Sequence, residues 1–192
     1  MSEFALGYYG TTTSPYLAVR HSDELLFLRG AEAEDPRDTT RDVWVVAVDP
    51  PHGPGDAPEV RPLFPMEWDA ERDAFVYGGP ALRITDRAGS ALVHAGEVSR
   101  LWGREIIETF VVRRSFPDGA AQWVFTAEDP VTALDVDTDE DTGTGTIYAA
   151  FKSGLIVALD AVDGRVRWQH RLRVGGFVVE PLSMVVPAPA DS

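Results

Sequence analysis

The chain has 192 residues, of which 44% are hydrophobic and 25% charged, a balance typical of one soluble globular domain. It contains no cysteine, which excludes disulfides, thiol catalysis and cysteine-ligated metal centres. Its net charge of −14 would repel a phosphate backbone, so we expect no nucleic-acid partner.

The N-terminus and the apolar runs indicate where the chain is located. The first ten residues include the acidic Glu3 and lack the basic and apolar regions of a secretory signal. The longest strongly apolar run, Val43–Val48, is far shorter than a membrane span. We therefore expect a cytoplasmic protein with no membrane partner, forming a single domain over residues 1–186 with a disordered tail at 187–192. A single lysine among 17 basic residues favours a bacterial source with a GC-rich genome.

Short apolar runs separated by turn residues predict strands throughout the first half of the chain. The predicted strands are Phe4–Tyr9, Tyr16–Arg20, Glu24–Leu28, Val43–Asp49, Glu59–Pro65, Phe75–Gly78, Ala81–Asp86 and Ala91–Ala95. Two segments, 31–42 and 50–58, are polar or rich in proline and glycine, and they predict surface loops. Residues Val98–Ile107 fit either a short helix or a strand.

The second half of the chain alternates strands with tight turns. Glu108–Arg114 and Ala121–Thr126 predict one hairpin, and Ile147–Phe151 and Leu155–Leu159 predict another. The unbroken apolar character of the last of these runs fits a strand that is buried on both faces. A further apolar run, Phe177–Val186, predicts a final strand.

Two copies of one motif form the strongest pattern in the sequence. Asp118-Gly119-x-x-x-Trp123 recurs as Asp163-Gly164-x-x-x-Trp168, and the two tryptophans lie 45 residues apart. Asp-Gly supplies the positive φ of a tight turn, and a period near 45 is typical of a β-propeller blade. We therefore expect these six residues to form a structural repeat, with both tryptophans buried between blades.

The repeat predicts an all-β fold, a small or incomplete β-propeller of about three to four four-stranded antiparallel blades. Three blades are predicted at residues 16–65, 75–126 and 131–173. So few blades leave edge strands to be paired. We expect either that Phe4–Tyr9 and Phe177–Val186 close the fold within a monomer or that a second chain does so in a homodimer.

Several short runs resemble the repeat of quinoprotein-type (PQQ-like) β-propellers: Ile147-Tyr148-Ala149, Gly154-Leu155, Ala158-Leu159-Asp160-Ala161 and Gly164-x-x-x-Trp168. The resemblance covers about one to two blades, residues 108–173. It implies a scaffold or binding role, because most proteins with this repeat do not hold the quinone. Those that do typically use a calcium site with an asparagine, and often a cysteine pair, and this chain contains neither residue type. We therefore expect no cofactor.

One run of alternating carboxylates resembles a calcium loop, in which such side chains converge on one cation: Asp135, Asp137, Asp139 and Asp141. However, the sixth position of that loop holds Glu140 in place of glycine, and the twelfth holds Thr146 in place of glutamate. We interpret residues 135–141 as a mobile, metal-free loop between two strands. A weak calcium site is the alternative.

No combination of residues predicts a catalytic or cofactor-binding site. The four histidines have no metal-ligand spacing: His21 and His52 fall in predicted loops, and His94 and His170 on predicted strands, where packed side chains are expected. No Gly-x-Ser-x-Gly motif is present, and the Gly-Thr-Gly-Thr run at 143–146 precedes a strand, whereas phosphate loops open a helix. Trp68 and Trp102 are the candidates for ligand stacking.

Three functions fit these features. The leading hypothesis is a non-catalytic, propeller-like binding or scaffold protein that engages a protein partner, with basic charge favoured, through its blade loops and acidic surface. The alternative is a small-molecule-binding or degenerate enzyme-like propeller with a ligand in the central channel. A weaker alternative is an immunity or inhibitor protein for a basic toxin.

Overall fold

The computed structural model describes residues 18–21, 24–29, 43–49, 53, 55–56, 59–66, 75–100, 105–139 and 144–186. These residues form fourteen β-strands and no helix, which confirms the predicted all-β class. Accordingly, the described part of the chain has no helix that could cross a membrane.

Three antiparallel sheets of four strands each follow one another along the chain. Sheet I consists of β1 (Ala18–His21), β2 (Glu24–Arg29), β3 (Val43–Asp49) and β4 (Glu59–Met66). Sheet II consists of β5 (Phe75–Asp86), β6 (Gly89–Arg100), β7 (Glu105–Ser115) and β8 (Ala121–Ala127). Sheet III consists of β9 (Val131–Asp139), β10 (Thr144–Phe151), β11 (Leu155–Asp160) and β12 (Val166–Arg171). Each strand pairs with the next one along the chain, as hairpin connections allow.

The three sheets span residues 18–66, 75–127 and 131–171, close to the three predicted blades. Some boundaries inside sheet II differ from the prediction. The runs Phe75–Gly78 and Ala81–Asp86 belong to one strand, β5, which has an irregularity between Gly78 and Ala81. Pro80 has no N–H to donate, so a pairing defect at this point costs the ladder little. The helix considered for Val98–Ile107 is wrong, because its first residues end β6 and its last residues begin β7.

The acidic segment expected to be a loop is mostly strand. Asp135–Asp139 forms the second half of β9 and pairs with β10. Leu134 and Val136 point into the core between sheets II and III, and the carboxylates alternate with them on the opposite face. The period of two that resembled a calcium loop is therefore the pleat of a half-buried strand. Asp141 lies outside the described residues.

The final predicted strand is wrong beyond Val178. Phe177–Val178 forms the short strand β14, which pairs with β13 (Arg173–Val174), and residues 179–186 belong to no described strand. Pro181 removes one backbone donor from this segment and so weakens its ability to pair. The other terminal strand, predicted at Phe4–Tyr9, and the tail at 187–192 lie outside the described residues.

The main hydrophobic core lies between one face of sheet II and one face of sheet III. Its buried members are Ile84, Ala91, Val93, Ala95, Val111, Leu134, Ile147, Ala149, Phe151, Val157, Leu159 and Ala161. Each large side chain removed from water in this way stabilises the fold by about 1.5–3 kcal/mol. The opposite face of sheet II holds a smaller cluster of Val98, Phe110 and Val112. The described sheets therefore stand in series, and they do not close into a ring.

The last strand of each sheet along the chain has the same irregularity in its pairing with the strand before it. In each, one extra residue interrupts the register: Leu63 in β4, Gln122 in β8 and Arg167 in β12. The residue that follows is aromatic every time: Phe64, Trp123 or Trp168. Trp123 and Trp168 thus occupy corresponding positions in successive sheets, and Phe64 occupies the same position in sheet I.

Candidate functional site

An aromatic residue of one sheet packs on a glycine of the next sheet, and this contact occurs twice. Gly119 lies in the β7–β8 turn with φ +78°, and a Cβ placed on it would overlap the ring of Phe64. Gly164 lies in the β11–β12 turn with φ +73°, and a Cβ placed on it would come within 2.7 Å of Trp123 Cδ2. Glycine is needed at both positions because the backbone is left-handed and because the ring occupies the space of a side chain.

The third aromatic residue has no such contact in the described structure. Trp168 is 47% exposed, so the expectation that it is buried is wrong, whereas Trp123 is half-buried. The indole Nε1 of Trp123 also donates a hydrogen bond of 3.1 Å to the carbonyl oxygen of Ala161, the first residue after β11 of sheet III. The remaining repeat residues, Asp118 and Asp163, precede the two glycines, and Asp163 accepts a hydrogen bond from the N–H of Arg165 at 3.0 Å.

A buried ion pair lies within sheet II beside Trp123, and one further bond of its arginine reaches the β11–β12 turn of sheet III. Both terminal nitrogens of Arg113 donate to the carboxylate of Asp86, at 2.6 and 2.9 Å, and both side chains are almost fully buried. Arg113 Nη1 also donates to the carbonyl oxygen of Ala161, and Nε donates to Gln122 Oε1. The charge is thus neutralised and its donors are occupied, as a buried guanidinium requires. Arg113 thus connects the two sheets, and the pair has no group to spare for chemistry.

A second buried polar pair lies on the opposite face of sheet II. Arg114 Nε donates to His94 Nε2 at 3.2 Å, so the proton of the neutral imidazole is on Nδ1, which donates to the carbonyl oxygen of Ala95 at 3.0 Å. Burial is the main cause that lowers the pKa of His94 from 6.5 to about 4; the bond to Ala95 opposes this, and the charge of Arg114 adds to it. Arg114 also donates to the carbonyl oxygen of Gly119, so this pair supports the turn on which Phe64 packs.

Acid should weaken the fold through His94. The unfolded chain binds a proton at this residue below pH 6.5 and the folded chain only below about 4, so stability is lost as the pH falls through that interval. The loss should amount to roughly 3 kcal/mol. Urea unfolding at a series of pH values measures it against His94→Gln, whose amide oxygen can accept the Arg114 bond and does not titrate. The prediction would be contradicted if the free energy of unfolding fell equally with pH in the wild-type chain and in His94→Gln.

The other candidate residues that the structure describes do not form a common site. His170 is exposed on β12, so the expectation that it is packed is wrong, whereas His94 is packed as expected. His21 lies at the end of β1, and His52, Trp68 and Trp102 lie outside the described residues. No three potential metal ligands gather within the described part of the chain.

We call the face of sheet III that is turned away from sheet II its outer face. One row of paired residues crosses it from β9 to β12: Asp135, Tyr148, Ala158 and Trp168. Ala158 is buried and Tyr148 half-buried, and the rings of Tyr148 and Trp168 lie tilted with centroids 5.9 Å apart. The corresponding row of sheet II ends in Trp123 and is covered by sheet III.

The chain after β12 returns towards the first strand of sheet III. The N–H of Val179 donates to the carbonyl oxygen of Leu172 at 3.4 Å, and the N–H of Val186 donates to Asp135 Oδ2 on β9. Leu182 and Val185 are 80% and 83% exposed, so this segment presents large apolar side chains to solvent.

Exposed apolar side chains are concentrated in this part of the molecule. Nine large hydrophobic side chains are exposed in the described residues, and seven of them fall between 166 and 185: Val166, Trp168, Val174, Phe177, Val178, Leu182 and Val185. Patches of this kind mark interaction sites in soluble proteins. We call the region from Arg165 to Val185 the 165–185 surface.

The 165–185 surface is also basic, although the chain as a whole is strongly acidic. Four arginines and no acidic residue lie between 165 and 173: Arg165, Arg167, Arg171 and Arg173. Two of them pair with carboxylates of their own sheet: Arg165 with Asp163 at 2.7 Å and Arg167 with Asp160 at 2.8 Å. Partial burial raises the pKa of Asp160, but the hydrogen bonds from Arg167 and from two turn N–H groups outweigh it, so the pKa lies below its usual 3.8.

The sequence contained a signal for this surface that motif analysis does not use. In an acidic chain, a stretch of nine residues that contains four arginines and no acidic residue, together with valine and tryptophan, is an unusual local composition. By contrast, the partners of Arg113 and Arg114 lie 27 and 20 residues away, and no local pattern indicates such pairs.

Comparison with known proteins shows structural similarity at low sequence identity. No protein-family model matches the chain, and no curated protein matches it. A solved structure from Bifidobacterium bifidum s17, assigned as an exo-beta-1,3-galactanase, is similar with a TM-score of 0.45 and 15% identity. The similarity covers 81% of this chain and 51% of that chain, so the chain spans about half the length of its structural neighbour.

Proposed function

We propose that this protein is a non-catalytic, propeller-like binding protein of the PQQ-like repeat type and that it binds a protein partner through its 165–185 surface. The concentration of exposed apolar side chains on that surface is the observation that carries the proposal. Such side chains remain in water at a cost of about 25 cal/mol per Å² of apolar area, which a partner would relieve.

The charge of the surface defines the chemistry of the partner. Four arginines flank Trp168 in the sequence, and aromatic residues and arginine are the residue types that dominate the energetics of protein interfaces. An acidic partner with an apolar centre complements them. The expectation of a basic partner at the acidic loops 31–42 and 50–58 stays a prediction, because those loops lie largely outside the described residues.

The non-catalytic part of the proposal rests on how the buried ionisable groups are used. Arg113 and Asp86 bind each other within sheet II, and His94 accepts from Arg114 with its one basic nitrogen. A general base must instead reach a substrate with an unoccupied lone pair.

Substitution of Trp168 should weaken binding without unfolding the protein. The immobilised full chain is used to capture proteins from an extract of the source cells, and each captured protein, the chain itself included, is purified and titrated by calorimetry. Trp168→Glu should weaken the affinity at least about tenfold. Val124→Glu is the matched control, because Val124 is 55% exposed on β8, outside the 165–185 surface.

The fold of the variant is checked by urea unfolding. Because Trp168 is 47% exposed, its replacement should cost clearly less than the about 3–5 kcal/mol of a buried tryptophan. Equal affinities of Trp168→Glu and Val124→Glu for every captured protein would refute the proposed surface.

A further inference from the structure

We propose that the edge of β12 that faces away from β11 binds an extended, acidic segment of the partner protein as an added antiparallel strand. The segment carries carboxylates at alternate positions and apolar side chains between them. This inference rests on the proposed function, because it names the part of the 165–185 surface that the partner contacts and the mode of contact, which is one of the established modes of peptide recognition. We call this edge the open edge of β12.

Strand β12 ends the order of strands in sheet III, and no other strand in the described part of the chain pairs with its open edge. All six residues of β12 are exposed. The segment that follows leads away from this edge, because the N–H of Val186 donates to Asp135 on β9, at the opposite side of the sheet. An exposed edge of this kind presents a row of N–H and C=O groups that a further strand can pair with.

One hydrogen bond beyond the end of β12 shows which backbone groups point to the open edge. The N–H of Leu172 donates to the carbonyl oxygen of Gly154 at 2.8 Å, so Leu172 directs its N–H towards the β11 side. In an antiparallel ladder, residues that point to the partner strand alternate with residues that point away from it. The N–H and C=O groups of Gln169 and Arg171 therefore point to the open edge.

The short hairpin of β13 and β14 does not cover the open edge. Its return is anchored by the bond from the N–H of Val179 to the carbonyl oxygen of Leu172. The carbonyl oxygen of Val179 lies only 2.6 Å from where a Cβ of Gly154 would stand. The hairpin thus returns over the β10–β11 turn, on the side of β12 that is already paired.

The charges along the open edge select an acidic strand. Arg165 and Arg167 have carboxylate partners in their own sheet, whereas Arg171 and Arg173 form no ion pair in the described part of the chain. The corresponding strand of sheet II, β8, contains no charged residue, so this row of arginines is a property of the sheet III edge. Opposite charges stabilise cross-strand pairs and like charges destabilise them, which also disfavours pairing of β12 with a second β12.

The register of β12 assigns the two kinds of side chain in the added strand. Gln169 and Arg171 stand on one face of the sheet, and Trp168 and His170 stand on the other. Directly opposite residues of an antiparallel pair share a face, so carboxylates opposite Gln169 and Arg171 lie beside the arginines. The apolar residues between them lie beside Trp168. Because Gln169 and Arg171 also point their backbone groups outward, the acidic residues of the segment donate and accept the ladder bonds.

A capped heptapeptide of alternating glutamate and valine, with glutamate first, tests this arrangement. The peptide carries fluorescein and is titrated with the full chain while its fluorescence anisotropy is followed. We expect a Kd below about 1 mM. Methylation of the glutamate N–H groups should abolish binding, whereas methylation of the valine N–H groups should change the Kd by less than about threefold, because those groups point to solvent. The inference is overturned if the unmethylated peptide does not bind or if both methylated peptides bind equally.

Variants of the open edge test the same bonds from the side of the protein. Gln169→Pro removes one outward N–H at a position where an edge strand tolerates proline, and Gln169→Val keeps that N–H. The proline variant should bind the peptide at least about tenfold more weakly than the valine variant. Equal affinities of the two variants would rule out strand addition. Urea unfolding checks that both are folded, and the methylated peptides decide the question if the proline variant is not.

The charge of the open edge is tested with two single substitutions. Arg171→Glu should weaken binding of the glutamate–valine peptide at least about fivefold, because it replaces an attraction by a repulsion. Arg87→Glu is the matched control, since Arg87 is exposed in the β5–β6 turn of sheet II. The choice of an acidic strand would be wrong if both substitutions changed the Kd equally.

The results separate this inference from the proposed function. If the two methylated peptides bind equally but Trp168→Glu still weakens a captured complex, the partner does not add a strand and the proposed function stands. If the peptide does not bind and Trp168→Glu changes no captured complex, both proposals fail.

Discussion

Replacing Asp86 by alanine should destabilise the protein by about 3–5 kcal/mol, because it leaves the guanidinium of Arg113 buried without its carboxylate. At most 2% of either side chain is exposed to solvent, so water cannot take the place of the lost partner. Urea unfolding monitored by circular dichroism measures the change.

An exposed ion pair of the same length provides the control. Arg165 Nε and Asp163 Oδ2 lie 2.7 Å apart, close to the 2.6 Å of the buried pair, but their side chains are 81% and 43% exposed. Arg165→Ala should therefore change the free energy of unfolding by only about 0–1 kcal/mol. If Asp86→Ala and Arg165→Ala lost similar amounts of stability, burial would not be the reason for the large effect at Asp86.

Gly164→Ala should cost about 2–5 kcal/mol for two separable reasons. A left-handed φ costs an L-residue roughly 1–2 kcal/mol, and overpacking a filled contact costs roughly 1–3 kcal/mol more. The new methyl group would lie 2.7 Å from Trp123 Cδ2, so the contact between sheets II and III must open.

Gly89→Ala isolates the backbone contribution, because Gly89 has φ +101° and open space at the position of a Cβ. Its free energy of unfolding should therefore fall only by the backbone contribution, roughly 1–2 kcal/mol. Adding Trp123→Ala to Gly164→Ala frees the space for the methyl group, so the double variant should be less destabilised than the sum of the two single changes. Additive losses would mean that the ring and the glycine are not in contact as described.

The strands and turns were largely predictable because their signals are local. Asp-Gly turns and apolar runs specify hairpins within about ten residues, and each sheet is a series of such hairpins. The repeat of Trp123 and Trp168 indicated corresponding positions in two sheets. Phe64, the third member, was missed because the turn before it is longer and its aspartate and glycine stand in a different order.

The errors arose where the environment, and not the local pattern, decides the outcome. Asp135 and Asp137 alternate as the ligands of a loop would, but alternation is also the period of a strand, and the buried Leu134 and Val136 decide between the two. The exposure of Trp168 could not be predicted from its similarity to Trp123, because the burial of each ring depends on what packs against that face of its sheet. Likewise, no pattern in the sequence brings Arg113 to Asp86 or Arg114 to His94.

The order of aromatic residue and glycine along the chain has a consequence for synthesis. Each aromatic residue is translated before the glycine that covers it; Trp123, for example, precedes Gly164 by 41 residues. At about 5–20 residues per second, the indole would wait roughly 2–8 s on the ribosome before its cover is made. Each sheet thus passes through a stage in which its aromatic residue faces water, as Trp168 does in the structure.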